Sequence, residues 1–304
     1  MSTSPNKKVI VIVGPTAVGK TAVAIDVARH YGTEIISADS RQCFRELRIG
    51  VARPSDEELH LVRHHFIASH SIHQEVNAGT FEEYALRKAK ELFATHDTIV
   101  MTGGTGLYIK AFCEGLDEIP EVDADIRAGI ISDYEEQGLP WLQQRVQEMD
   151  PLFYDKAEIQ NPQRLMRALE VITSTGRSVL EYRTGNKAKR DFDIIRIGLE
   201  LRKEQLHQNI NDRVERMFDY GLVDEVRELI AFRDLNALRT VGYSEVFDML
   251  DGSTTLEEAK QQIKVNTRHY AKRQMTWFRK DKEVKWFSSP ETMDMITYVE
   301  KGND

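Results

Sequence analysis

The chain has 304 residues and a formal net charge of −8, with 41% hydrophobic and 30% charged residues. This length can bury a large core and predicts two domains, or one domain with a large insertion. Two cysteines exclude a disulfide scaffold, the acidic charge argues against a generally basic nucleic-acid binder, and no run of about eighteen apolar residues predicts a membrane span.

The first predicted element is a buried strand that runs into a glycine-containing loop. Residues 9–21 read VIVIVGPTAVGKT, an apolar run followed by the pattern G-x-x-x-x-G-K-[ST] and then a helix-like segment. Such a loop binds phosphate, because its glycines let backbone N–H groups surround an anion at the positive end of a helix. The candidate phosphate-binding residues are Gly14, Pro15, Thr16, Ala17, Val18, Gly19, Lys20 and Thr21. Lys20 would contact terminal phosphates and Thr21 would contact Mg²⁺, but the loop alone, typical of ATP-binding proteins, does not say whose phosphate it holds.

A second predicted strand, over residues 33–40, ends in polar residues. Ligands of an open α/β sheet lie at the carboxyl ends of its strands, so Asp39 is placed to act as a general base or a metal ligand. Its position fits equally well with an aspartate that caps the following turn. The polar stretch that continues to Pro54 reads as a surface loop.

Five histidines lie close together in the sequence: His60, His64, His65, His70 and His73. Their spacing fits no standard zinc signature, and no cysteine is near them. We therefore interpret them as packing or solvent-exposed side chains.

A third buried strand is predicted over Thr98–Thr102, after an amphipathic helix over Thr80–Ala94. The residues that follow it, Gly103 to Gly106, permit close approach of a ligand to the backbone and fit a tight strand-to-helix turn equally well. A conventional NTPase has an aspartate at the end of such a strand to hold Mg²⁺, and this sequence has none there.

The pattern becomes helical from Pro120 onwards. Helices are predicted over residues 125–137, 139–149, 151–157 and 161–175, and strand character returns at 193–199. We therefore predict an α/β fold, a P-loop NTPase-like parallel sheet flanked by helices, over residues 1–120 and 191–304. An all-helical insertion domain is predicted over residues 121–190.

The C-terminal part predicts two long helices and a last strand over residues 284–287. The first helix covers 205–232 with a break at Tyr220–Gly221, and its Arg213 and Arg216 share a face. Their planar guanidinium groups suit a diphosphate, although neighbouring acids offer ordinary ion pairs.

The second long helix, over residues 254–280, carries Lys264, Arg268 and Lys272 at every fourth position. Eight basic residues and two acidic ones between 262 and 285 give this segment a local charge of +6. Together with Tyr270, Trp277 and Phe278, this stripe fits either an RNA-backbone contact or a solvated face beside core aromatics.

Taken together, these segments resemble the bacterial tRNA dimethylallyltransferases, which prenylate N6 of the adenine 3′ of the anticodon. The matching stretches follow the family's order and cover almost the whole chain: GPTAVGKT (14–21), SADSRQ (37–42), GGTGLYIKA (103–111), QRLMRALEV (163–171), DRVERMFDYGLVDEV (212–226), TVGYSEV (240–246) and TRHYAKRQMTWFR (267–279). Two positions depart from the family pattern: Asn161-Pro162 stands where an Asp is usual, and Val18 stands where a small polar residue is common.

The resemblance implies that the P-loop holds the diphosphate of dimethylallyl diphosphate rather than a nucleoside triphosphate. It implies Asp39 as the general base, Thr105 as an assisting residue and Arg213 as the group that stabilises the departing diphosphate, with Lys20, Thr21 and Mg²⁺ on its other side. The implied contacts with the tRNA anticodon stem-loop are Asp39, Ser40, Arg41, Gln42, Thr105, Arg127, Gln163, Arg164, Leu165, Met166 and Arg167. The basic stripe of Lys264, Arg268 and Lys272 is our further candidate for tRNA binding.

Three other functions compete with this interpretation. One is a dimethylallyltransferase that acts on free adenylate, the second is an ATP-dependent small-molecule kinase, and the third is a noncatalytic tRNA-binding P-loop protein. We expect a monomeric, cytoplasmic transferase with no membrane segment and no signal peptide.

Overall fold

The computed structural model describes residues 7–156, 158–288 and 291–301. The chain forms two compact units, Met1–Glu114 with Lys189–Asp304 and Gly115–Ala188. The strands are β1 (Lys8–Val13), β2 (Ile35–Ser37), β3 (His64–His65), β4 (Thr98–Thr102), β5 (Asp193–Leu199) and β6 (Lys285–Phe287). The helices are α1 (Lys20–His30), α2 (Asp56–Leu61), α3 (Ala78–Leu92), α4 (Gly106–Glu114), α5 (Ala124–Met149), α6 (Pro151–Tyr154), α7 (Pro162–Thr175), α8 (Lys203–Asp219), α9 (Leu222–Glu228), α10 (Tyr243–Leu250), α11 (Leu256–Phe278) and α12 (Thr292–Lys301), with a short 3-10 helix over Ile230–Phe232.

The strands form one parallel sheet in the order β3-β2-β4-β1-β5-β6. Alternate residues of β1 lie in different cores: Val9 and Val11 pack with α3 and α4, whereas Ile10 and Ile12 pack with α1 and α12. Because successive side chains of a strand point to opposite faces, helices must cover both faces of this sheet. The predicted fold class, a P-loop NTPase-like parallel sheet between helices, is confirmed.

The first unit contains short elements that the sequence pattern did not predict. The histidine-rich stretch contains β3, which pairs with β2 through Ile35 and His64, and α2 precedes it with a capping box formed by Ser55 and Glu58. The helices α10 and α12 were also missed. In contrast, the predicted break at Tyr220–Gly221 is confirmed, because α8 ends just before it and Gly221 has a φ of 93°.

The second unit is built from α5, α6 and α7, and the part of it that the structure describes contains no strand. Gly138 interrupts α5 with a φ of 75°, which separates the two helices predicted over 125–137 and 139–149. The helix predicted over 151–157 is observed as α6, which ends at Tyr154. The last residue of the predicted range, Ala157, lies outside the described residues. Leu142 and Val146 of α5 pack with Leu165 and Leu169 of α7 in a separate hydrophobic core. This unit spans residues 115–188, whereas the sequence predicted an insertion over 121–190.

None of the helices in the described residues combines the length and the apolar character needed to span a bilayer.

Candidate functional site

A polar cavity of about 810 Å³ lies at the carboxyl ends of β1, β2 and β4. Its lining combines P-loop residues with Asp39 after β2, Arg213 and Arg216 of α8, and Tyr270 and Gln274 of α11. A cavity of this size suits a small ligand with several polar contacts. It occupies the edge of the sheet where an open α/β fold binds its ligands.

The P-loop is held in place by its own backbone geometry and by two amide side chains. Gly14 has a φ of 148°, and a Cβ there would lie 2.6 Å from the carbonyl oxygen of Leu199. The Asn209 Nδ2 donates to the Ala17 carbonyl oxygen at 3.0 Å. Gln274 is buried: its Oε1 accepts from the Thr16 N–H at 2.8 Å, and its Nε2 donates to the Gly104 carbonyl oxygen at 2.9 Å. Gln274 therefore joins the P-loop to the turn after β4.

Two cations, Lys20 and Arg213, contact this loop through hydrogen bonds. The Lys20 Nζ donates to the carbonyl oxygens of Gly14 and Pro15 at 3.0 and 2.8 Å, and the Arg213 Nη1 donates to the Thr16 hydroxyl at 2.9 Å. Burial, and then the neighbouring Arg213, lower the pKa of Lys20 to about 7, although Asp39 acts in the opposite direction. Burial and Arg216 likewise lower the pKa of Arg213. Cations whose charge is unfavourable in this way favour an anionic ligand.

Asp39 lines the cavity and also stabilises a turn. Its Oδ1 accepts hydrogen bonds from the N–H groups of Arg41 and Gln42 at 2.9 and 3.1 Å. The turn-capping interpretation of Asp39 is therefore correct. It does not conflict with a chemical role, because in the described chain no hydrogen bond occupies the other carboxylate oxygen.

Thr105 lies beside the cavity rather than in its lining. Its Oγ1 accepts from the Ser40 N–H at 3.0 Å and donates to the Ser40 hydroxyl at 3.2 Å, which ties the turn after β4 to the turn after β2. A Cβ at Gly103 would lie 2.1 Å from the Ala38 carbonyl oxygen, so these two turns need a glycine there. The structure thus brings Asp39 and Arg213 together around the cavity and places Thr105 behind them.

The other predicted residues of these loops divide between the cavity and its support. Among the P-loop residues, the cavity is lined by Thr16, Ala17, Gly19, Lys20 and Thr21. Gln42 also lines it, and its Nε2 donates to the carbonyl oxygens of Val51 and Ala52 at 3.3 and 3.0 Å. Ser40 and Arg41 are half-buried beside the cavity, and burial lowers the pKa of Arg41.

His64 is a member of the cavity that the sequence did not distinguish from its four neighbouring histidines. Its Nδ1 lies 2.8 Å from the Val62 carbonyl oxygen. Since a carbonyl only accepts, this nitrogen carries a proton. Nε2 is buried and has no hydrogen-bond partner among the described residues, so in the neutral ring it is a free acceptor. Across the described residues, no three His, Cys, Asp or Glu side chains come together as metal ligands.

The predicted tRNA-contacting residues of α7 separate into surface and core. Gln163 and Arg164 are exposed, and Arg167 is half-buried beside Glu170, at 3.3 Å. The side chains of Leu165 and Met166 are buried, at 0% and 7% exposed, and the tRNA contact of these two residues stays a prediction. They form the core of the helical unit, because a continuous stretch of residues wraps around a helix and includes its buried face.

Two further residues complete this surface. The Nε of Arg127 lies 3.7 Å from the buried carboxylate of Glu170. Asn161, which stands where the resembling family has an aspartate, caps α7: its Oδ1 accepts from the Arg164 N–H at 3.2 Å. The departure from the family pattern therefore leaves the start of the helix intact.

We expect Leu165→Ala to lower the free energy of unfolding of the helical unit by about 2–5 kcal/mol, because it leaves a cavity in a packed core. Gln163→Ala on the same helix should leave stability within about 0.5 kcal/mol, since its side chain is exposed. Urea unfolding of the two variants followed by circular dichroism measures the difference. Equal stabilities would contradict the assignment of Leu165 to the core.

The basic stripe on α11 is not a uniform cationic surface. Lys264 is buried, and its Nζ lies 2.5 Å from a carboxylate oxygen of Glu215, so its charge is already paired, and its contact with tRNA stays a prediction. Arg268 is half-buried and donates to the Asn211 side-chain oxygen at 2.7 Å. Lys272 is exposed. Periodicity shows that these residues share a face, but it does not show that one end of this face packs against α8.

Lys272 and Arg268 line a second cavity of about 670 Å³. Its other charged or titratable lining residues are Glu200, Lys203, His207, His269 and Arg279. Burial and the charges of Arg268 and Lys203 lower the pKa of His207. This face of the first unit is therefore cationic, in contrast to the net charge of the chain.

The fold and the cavity together define an α/β protein of the P-loop NTPase-like class with a cationic ligand site at the edge of its sheet. The family model described as IPP transferase matches residues 42–281. The chain therefore belongs to the IPP transferase family, and it is an enzyme of the transferase class. The resemblance inferred from the motifs is confirmed.

Relatives of known name or structure extend the match to nearly the whole chain. The tRNA dimethylallyltransferase of Christiangramia forsetii is 49% identical over 290 residues, which cover 95% of this chain and 96% of that protein. The crystal structure of a full-length tRNA isopentenylpyrophosphate transferase from Bacillus halodurans is similar with a TM-score of 0.71 at 33% identity, covering 97% of this chain and 96% of that one. A eukaryotic dimethylallyltransferase acting on tRNA has a TM-score of 0.78 at 22% identity, covering 97% of this chain and 77% of that one, and supports the fold alone.

Proposed function

We propose that this protein transfers the dimethylallyl group of dimethylallyl diphosphate to N6 of the adenine 3′ of the tRNA anticodon and releases diphosphate. The observation that supports this best is that Lys20, Arg213 and Asp39 surround one cavity. Two cations suit the diphosphate, and a carboxylate suits deprotonation of the amine. The names of the relatives agree with this substrate class.

The reaction needs charge stabilisation on one side and a base on the other. The N6 lone pair forms a bond to the allylic carbon while the carbon–oxygen bond breaks and its electron pair leaves with the diphosphate. Lys20, Arg213 and the P-loop N–H groups stabilise the negative charge that develops on the leaving group. Asp39 accepts the N6 proton through the carboxylate oxygen that the turn does not use.

Mg²⁺ fits this site only as an ion shared with the substrate. The described residues offer no cluster of three acidic or histidine ligands, but Mg²⁺ commonly binds through one or two protein groups and phosphate oxygens. The Thr21 hydroxyl lines the cavity next to Lys20 and would hold the ion together with the diphosphate. When bound, Mg²⁺ neutralises part of the charge on the departing diphosphate.

The RNA side of the proposal rests on exposed groups of both units. Gln163 and Arg164 are exposed on α7, and we propose that they and Arg127 contact the anticodon loop. The adenine must leave its stack to reach Asp39, and Tyr270, which lines the cavity, offers an aromatic face for it.

The activity is tested by incubating the protein with unmodified tRNA and, in parallel, with AMP, each with dimethylallyl diphosphate or ATP. Mass analysis of the nucleosides identifies the product. Prenylated adenosine in tRNA supports the proposal. Prenylated AMP alone would indicate the free-adenylate enzyme, and a phosphorylated acceptor would indicate a kinase.

We expect Lys272→Gln to weaken tRNA binding and to reduce the slope of log K against log salt concentration by about one, because one cation near the RNA backbone is lost. The control is Lys90→Gln, which removes an exposed lysine from α3. Titrations of labelled tRNA at several salt concentrations measure both slopes. An unchanged slope for Lys272→Gln would mean that this face stays in solvent.

A further inference from the structure

One wall of the cavity is a loop that lies outside the P-loop and precedes α2. Arg48, Ile49, Val51, Ala52 and Arg53 all line the cavity. This wall adds two cationic side chains, Arg48 and Arg53, to those that the P-loop and α8 contribute to the same cavity. The Arg48 Nη2 is occupied by Asp56, at 2.8 Å.

The loop is anchored from behind by one carboxylate. The Oε2 of Glu225 on α9 accepts from the N–H groups of Arg48 and Ile49 at 3.2 and 2.8 Å, and its Oε1 accepts from the Gly50 N–H at 3.0 Å. Successive N–H groups that converge on one anion form a nest. Glu225 therefore fixes three consecutive residues of the wall.

A buried tyrosine completes the anchor. The Tyr243 hydroxyl donates to the Glu225 Oε1 at 2.5 Å, and its side chain is 0% exposed. Burial and the charge of Glu225 raise the pKa of Tyr243, which keeps its hydroxyl protonated as a donor. A Cβ at Gly50 would lie 2.4 Å from the Tyr243 ring, so the loop can approach the ring only with glycine there.

The next residues of the loop are held from the cavity side. Gln42 donates to the carbonyl oxygens of Val51 and Ala52, and Ala52 has a φ of 49°, which an L residue adopts only when its surroundings impose it. Arg53 follows directly. Both anchors therefore fix the backbone from which the Arg53 side chain extends.

Arg53 has few partners of its own. Its one hydrogen bond in the described chain is a long one, 3.4 Å, from Nη1 to the Arg45 carbonyl oxygen, and within the same residues no carboxylate forms an ion pair with it. Burial and the nearby Arg48 lower its pKa, although the charges of Glu225 and Asp56 act in the opposite direction, so on balance its charge lies in unfavourable surroundings. A guanidinium group with free donors at a cavity wall is suited to bind phosphate oxygens in a fixed geometry.

We propose that Arg53 binds the diphosphate of the prenyl donor and that Glu225 is its positioning residue, acting through residues 48–50. The inference rests on the proposed function and names a further ligand of the same substrate. It predicts that a change at Glu225, which does not line the cavity, weakens diphosphate binding only as long as Arg53 is present.

The test is calorimetric titration of the full chain with magnesium diphosphate. We expect Arg53→Gln to weaken binding by about 10- to 100-fold, the loss typical of a charge-assisted hydrogen bond. Arg63→Gln removes an exposed arginine that does not line the cavity and should bind like the wild type. Wild-type affinity in Arg53→Gln would overturn the proposal.

The positioning role is tested by a double-mutant cycle. Glu225→Gln should weaken diphosphate binding by about 3- to 30-fold in the wild type and by less than about twofold in Arg53→Gln. Glu228→Gln, at an exposed position of the same helix, is the matched control. If the affinity lost in the double variant equalled the product of the two single losses, Glu225 would act independently of Arg53. That result would contradict the assignment of Glu225 as the positioning residue of Arg53.

Two further measurements keep these outcomes interpretable. Tyr243→Phe removes one hydrogen bond to Glu225 but keeps the ring. It should therefore cause a smaller, Arg53-dependent loss of diphosphate affinity, which remains measurable even if Glu225→Gln unfolds. A loss of affinity that does not depend on Arg53 would overturn the role of this anchor. Diphosphate binding does not require prenyl transfer. A wild type that binds diphosphate in this Arg53-dependent way but never prenylates RNA would sustain the inference while refuting the proposed function.

Discussion

Asp39→Asn should lower kcat for prenyl transfer by about 10²–10⁴-fold, the contribution typical of a positioned general base. Asparagine keeps a side-chain oxygen that can accept from the N–H groups of Arg41 and Gln42, so the turn should survive. What it loses is the basic oxygen that we propose takes the N6 proton. Single-turnover transfer to tRNA measures the rate, and a separate titration should show nearly unchanged tRNA binding.

Two comparisons separate chemistry from structure in this experiment. Asp39→Ala removes both the base and the turn cap, so it should lose stability as well as activity, by about 1 kcal/mol for a lost cap. Asp248→Asn, at an exposed position of α10, should change neither quantity. Normal turnover in Asp39→Asn would leave Asp39 with the role of a turn cap alone.

The parts of the fold that were predictable are those whose sequence signal is local. The apolar run of β1 and the glycine spacing after it define a strand, a loop and a helix start within residues 9–21. Gly221 likewise marks the end of α8, because its positive φ suits glycine. Short β3 could not be predicted, since its two histidines become a strand only by pairing with Ile35 and Ile36.

The candidate site follows the same division. Topology alone placed Asp39 at the carboxyl edge of the sheet, and the motif defined the P-loop. Gln274 and Glu225 were missed because their partners lie far away in the sequence: Gln274 bonds to Thr16 across 258 positions, and Glu225 bonds to Ile49 across 176. A glutamine or glutamate inside a helix carries no local sign of such a contact.

The burial of Leu165, Met166 and Lys264, which the sequence pattern did not indicate, has a single physical origin. A motif or a four-residue repeat identifies residues that share a helix, but burial depends on what packs against each face. Leu165 and Met166 face the core of their own unit, and Lys264 faces Glu215 of α8. Only the tertiary structure distinguishes these positions from the exposed Gln163 and Lys272.

Diphosphate binding should be accompanied by proton uptake, because the pKa of Lys20 is about 7 in the ligand-free cavity. Burial and the charge of Arg213 lower this pKa, and a bound diphosphate acts in the opposite direction and raises it. Well below pH 7 the lysine is already protonated, so the contribution of this group to the affinity should be greatest there. As the pH rises above 7, binding must supply the missing proton, and the affinity should fall by up to about tenfold per pH unit from this group.

Lys20→Met removes this charge and should lower kcat by about 10²–10³-fold, because a preorganised cation no longer stabilises the leaving diphosphate. It should also remove the part of the proton uptake that Lys20 contributes, which leaves only the titration of diphosphate itself. Calorimetry in two buffers of different ionisation enthalpy, at pH 8, measures the uptake for both proteins, with Lys90→Met as the control for loss of an exposed lysine. Equal proton uptake by Lys20→Met and the wild type would mean that Lys20 keeps its proton in the empty cavity. Lys20 would then interact with the diphosphate through its permanent charge, without a change of protonation.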